Sequence, residues 1–190
     1  MNILPLHKLL FIPSHKEWDA LARTQPSVLR LFFLLVLPFS LIPPLMIEYA
    51  GHHYGAMLYP HVSGQAWSVA ALFFLLAELA TVPLMAWGIR SVARSKGIAC
   101  PYKDAFTLAA IAPVPLWLSS LVLFSDQPAL IAAMVVLGVA GSVVMIFRGV
   151  AHILQVKEGL IAFEIAYIVT ALGLIAWASL VMLGLIPALA

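Results

Sequence analysis

A lone carboxylate within a long apolar run is the sharpest chemical feature of this chain. Glu78 is the one formal charge in the 23-residue stretch Trp67–Ile89, WSVAALFFLLAELATVPLMAWGI. It stands 11 residues into that run, so roughly 17 Å along a helix at about 1.5 Å per residue. An ionised carboxylate at such a depth in lipid costs about 2.5–3.5 kcal/mol on insertion scales, so the group must face other helices and find a partner, or stay neutral. There it could relay protons or bind a cation. The plainer alternative is a neutral Glu bonded to a Ser, a Thr or a carbonyl released at a proline kink.

Two further groups have the residue types for chemistry. Glu48, His52, His53 and His61 lie in a stretch without Lys or Arg. Glu48 and His52 are four apart and share a face if their helix continues past Gly51. Together they offer an oxygen and a nitrogen to a transition metal, with His53 or His61 to complete the set. No fixed metal-site motif accompanies them, and surface histidines are the simpler reading. Arg148 and His152 are also four apart, and Glu164 follows across a short loop, placed to pair with Arg148. That group reads most simply as a snorkelling Arg and an interfacial ion pair locking two helices. No glycine-rich phosphate loop, G-x-S-x-G elbow, H-E-x-x-H or Ser-x-x-Lys is present, so no enzyme and no cofactor is expected.

The elements that must position these residues are membrane helices. Hydrophobic residues make up 64% of the chain and charged residues 9%, with mean hydropathy +1.07. Ordinary soluble domains hold roughly 45–50% apolar and about 25% charged residues, and so few charges cannot build a wet surface. The expected fold is all-α and polytopic, with five transmembrane helices over about 29–49, 67–89, 105–124, 129–150 and 161–185. Pro38, Pro43 and Pro44 kink the first span, and Pro113 and Pro115 the third. Ser125-Asp126-Gln127-Pro128 is a tight turn that makes spans three and four antiparallel neighbours. Gly138 and Ser142, four apart, permit close helix approach.

Residues 1–27 read as a separate cytoplasmic or interfacial segment, and 28–190 as the membrane domain. Pro5, Pro13, Pro26 and several charges interrupt any secretory-type apolar core in the first segment. Ser14 three ahead of Glu17 has capping-box spacing, predicting a short helix to about Gln25. Trp18, Leu21 and Ala22 share one face. Such a helix either lies flat at the headgroups with Trp18 as anchor or caps the bundle. The ten basic residues, Lys8, Lys16, Arg23, Arg30, Arg90, Arg94, Lys96, Lys103, Arg148 and Lys157, all fall on one side of a five-span map. Basic loops stay cytoplasmic, so the N-terminus is inside and the C-terminus outside. The single cysteine, Cys100, falls in a cytoplasmic loop and cannot form an internal disulfide. Four charges between Arg90 and Lys103 beside a membrane mark topology or anionic lipid, and nucleic acid is not an expected partner.

Several short motifs resemble the short bacterial members of the Yip1-domain family. They are Pro13-Ser14-His15-Lys16-Glu17-Trp18, Leu37-Pro38, Ala112-Pro113-Val114-Pro115-Leu116, and Arg148-Gly149-Val150-Ala151-His152-Ile153-Leu154. The resemblance implies a cytoplasmic N-terminal region, five spans and residence in the inner (plasma) membrane. Eukaryotic relatives are tied to vesicle traffic and Rab GTPases, but their Asp-Leu-x-Gly-Pro motif is absent here. The expected function is non-enzymatic: contacts with membrane lipids, with other membrane proteins or in a homo-oligomer. The alternative is a proton- or cation-conducting carrier using Glu78, with an outer access site at Glu48 and His52.

Overall fold

The computed structural model of the protein describes residues 15–24, 26–55, 57 and 59–189. Among them it is all helix and turn, with no strand. A short helix, α1 (His15–Thr24), precedes five helical segments long and apolar enough to cross a membrane: α2 (Val28–Gly55), α3 (Gly64–Ser95), α4 (Tyr102–Phe124), α5 (Pro128–His152) and α6, whose helix runs Gly159–Leu189. The Ser14 cap and the end at Gln25 expected for α1 lie outside the described residues.

Local sequence explains the irregularity of two spans. In α2 the chain alternates between α-helix and π-helical turns at Phe32–Val36 and Gly51–Gly55, around Pro38, Pro43 and Pro44. Each proline lacks the N–H that an α-helix needs, and a wider turn absorbs the mismatch. Helix α4 runs regularly over Tyr102–Ile111, breaks at Ala112-Pro113, resumes at Val114–Ser119 and ends as a 3-10 helix over Ser120–Phe124. Two N-caps are conventional. Ser27 and Ser63 accept hydrogen bonds from the amides of Arg30 and Ala66 at 3.4 and 3.2 Å. Helix α3 stops at Gly97, whose φ of 75° is open to glycine, while the Ile98 amide donates to the Ala93 carbonyl.

Helix α6 packs along α3, α3 along α4, and the later half of α4 along α5, with α2 against both α3 and the end of α4. Helix α4 is central: 56% of its most apolar window is buried, against 17% for α5 and 11% for α6. Those two form an apolar outer flank. Gly138 is spent inside the chain. A Cβ there would come within 2.6 Å of the Ser119 hydroxyl on α4, and Gly141 abuts Pro115 in the same way. The turn at 125–127 does make α4 and α5 antiparallel neighbours, as its length requires.

Helix α1 is a cap on the bundle. Trp18 is 0% exposed and Leu21 1%, both within the main apolar core, and the Trp18 ring stacks on His152 at 6.4 Å. Of the two expectations for this helix, a flat interfacial anchor or a cap on the bundle, the burial of Trp18 and Leu21 matches the cap. A glycine makes it possible, because Gly149 leaves room for Leu108 and brings Trp18 within van der Waals reach. Five alternating crossings put Arg30, Arg90, Arg94, Lys96, Lys103, Arg148 and Lys157 at the α1 end of the bundle.

Candidate functional site

Glu78 sits in mid-helix on α3 at 5% exposure. Its partner is the indole of Trp117, whose Nε1–H donates to Glu78 Oε1 at 2.5 Å. The break at Ala112-Pro113 restarts α4 with the Trp117 amide bonded to the Pro113 carbonyl at 2.9 Å, and this sets the face that the indole presents. A Ser, a Thr or a freed carbonyl was the expected partner. Trp117 was missed because its pairing spans 39 positions and depends on depth in two helices. Its place within the apolar length of α4, about two-thirds of the way along Tyr102–Phe124, is the usable signal.

Glu78 and Trp117 border a cavity of about 480 Å³ that all five spans help to line, from Pro43 on α2 to Thr170 on α6. Its walls are mostly aliphatic and aromatic. The lining runs from Trp67 to Met85 along α3 and from Val169 to Leu185 along α6, so the space is about 24–27 Å tall at helical rise. Four buried polar atoms on lining residues have no hydrogen-bond partner among the described residues: Glu78 Oε2, Trp67 Nε1, Ser142 Oγ and Thr170 Oγ1. Trp67 is seated against the π-turn, where a Cβ at Gly51 would collide with its Cγ and one at Gly55 would lie 2.9 Å from its Nε1.

The polar groups at the far end of the bundle from α1 are arranged otherwise than as a metal cage. Helix α2 does continue past Gly51, as a π-turn, so Glu48 and His52 do share a face: His52 Nδ1 lies 3.5 Å from Glu48 Oε1 and bonds the Glu48 carbonyl at 3.0 Å. The Glu48 carboxylate also accepts from Ser68 Oγ at 2.7 Å, tying α2 to α3. His53 bonds the Tyr49 carbonyl at 2.9 Å and stacks on the Tyr49 ring, and His61 meets the edge of Tyr59. No three His, Cys, Asp or Glu side chains stand together among the described residues, so Glu48, His52, His53 and His61 do not converge. Tyr54 was not foreseen; its hydroxyl donates to the Leu123 and Ser125 carbonyls and closes the 3-10 end of α4.

At the α1 end, Glu164 pairs with Lys96, Nζ to Oε2 at 2.6 Å. The expected Glu164–Arg148 pair is thereby corrected, since the turn after α3 brings Lys96 beside the first turns of α6. His152 is engaged with Trp18. Cys100 lies between α3 and α4, 2% exposed. Burial pushes its thiol up, Asp104 adds to this, and the Ala105 amide, Arg90 and Arg94 offset part of it.

Five apolar helical segments around an intramembrane cavity define a multi-pass membrane protein. A family model described as the Yip1 domain matches residues 8–180, and the chain belongs to that family. No curated protein and no solved structure is matched.

Proposed function

We propose that this chain is a non-enzymatic membrane protein of the Yip1 type that works by lateral contact with lipids and other membrane helices. Its setting in this reading is the inner (plasma) membrane. The observation that carries it is the α5–α6 flank, apolar along its length yet almost unburied by the rest of the chain. Val136, Leu137 and Ile175 are more than half exposed there. The small-residue stripe at Gly138 and Ser142 is turned inward, so a second copy or another membrane protein would dock on this outer flank. A photoreactive side chain at Val136 or Ile175, irradiated in native membranes, is expected to yield protein adducts of higher mass. Isolated monomers at both positions would contradict the reading.

A second reading draws on the position of Glu78. Its carboxyl borders an internal cavity, as a proton or cation carrier requires, with Glu48 and His52 as outer access. The mostly aliphatic wall favours a lipid-like occupant over a water-filled path, and Glu48 is not part of that wall. Proton or cation flux into liposomes that is equal for the native chain and Glu78→Gln ends this alternative.

A further inference from the structure

The cavity's shape and the unpaired carboxyl oxygen of Glu78 on its wall lead to a ligand class. At about 480 Å³ it falls within the roughly 300–1,000 Å³ of small-molecule sites. Its height, about 24–27 Å, exceeds one leaflet, about half of a 30 Å hydrocarbon layer. Such a tall, narrow, apolar space suits an extended hydrocarbon chain. A purely apolar occupant, however, would leave buried polar groups unsatisfied, and each of these costs free energy that a hydrogen-bonding ligand recovers.

The unpaired atoms narrow the chemistry further. Trp67 Nε1 lies against Gly55, 11 residues or about 17 Å along α3 from Glu78, so one ligand group cannot meet both. Glu78 already accepts from Trp117 on one oxygen, and its other oxygen is unpaired. Ser142 and Thr170 can give or take. A cation would satisfy Glu78 but leave the long aliphatic and aromatic wall without an occupant. A charged headgroup would bear the full cost of burial among aliphatic side chains. A hydroxyl both donates and accepts, is neutral, and matches Glu78 whether that carboxyl carries a proton or not.

We propose that the cavity is a binding site for a neutral single-chain lipid alcohol, with its chain along α3 and α6 and its hydroxyl bonded to Glu78 Oε2. This deepens the lipid side of the proposed function. An unlabelled cavity would leave the outer-flank adducts untouched, so the two can fail separately.

The test uses the full chain in phosphatidylethanolamine–phosphatidylglycerol vesicles with a hexadecanol probe bearing a diazirine and an alkyne. Irradiation is expected to label cavity-lining peptides of α4 and α6, with hexadecanol competing and hexadecane failing to compete. Loss of one hydrogen bond to a buried carboxyl corresponds to about tenfold weaker labelling in Glu78→Leu. Ala176→Phe adds bulk at a lining position whose own side chain carries no polar atom, and it should abolish labelling while the protein elutes as a folded species. The proposal is overturned if Ala176→Phe labels like the native chain, if hexadecane competes equally, or if label appears only on lipid-facing residues such as Phe73 and Trp87.

Discussion

At the scale of single residues, one hydrogen bond between an acid and an indole holds the polar centre of the bundle. Glu78 is tolerable in α3 because Trp117 meets it and because the other helices bury it. Removing the donor in Trp117→Phe leaves a second carboxyl oxygen unpaired. Polar pairs in membrane proteins couple by about 0.6–2 kcal/mol. A double-mutant cycle of Glu78→Leu and Trp117→Phe, read by unfolding in detergent, should give a coupling of that size, and strict additivity would deny the bond. Cys100 gives a pH-dependent prediction at the same scale. The thiolate is the reactive form, and a thiol pushed up by burial is less ionised at any given pH. Maleimide labelling of the folded chain should therefore be slow near neutrality and accelerate only at higher pH than for a free cysteine. A denatured sample should label with the ordinary profile.

At the scale of elements, much of the architecture was readable and the pairings were not. Apolar length marks each span directly, and Pro38, Pro43, Pro44, Pro113 and Pro115 announce their own kinks because a missing N–H is a local property. Glu48 and His52 share a face by helical arithmetic alone. Partners across helices depend instead on which faces meet and at what depth. That is why sequence spacing points Glu164 to Arg148 rather than to Lys96, and why it does not single out Trp117 as the partner of Glu78. The role of Trp18 was open for the same reason, since an amphipathic helix fits a headgroup layer and a helix-bundle end equally well. Gly149 settles it by making the seat. Gly149→Val should push Leu108 and Trp18 apart and cost about 1–3 kcal/mol as overpacking. Thermal unfolding of the purified chain would show this, together with faster proteolysis near α1; unchanged stability and unchanged cleavage would mean that α1 is not held there.

At the scale of the whole molecule, five crossings impose a simple parity. An odd number of spans sends the two ends of the chain to opposite sides of the bilayer. Basic residues gather at the α1 end, so charge bias proposes that end as the cytoplasmic one. The cavity, the Glu78–Trp117 bond and the apolar α5–α6 flank all take their meaning from this immersion, because each is placed by depth in hydrocarbon. Paired reporters test it most directly, with a fluorescent protein and alkaline phosphatase fused in turn before Met1, at Gly97 and after Ala190. The account predicts fluorescence at the first two positions and phosphatase activity only at the third. Fluorescence after Ala190, with no phosphatase activity there, would contradict it.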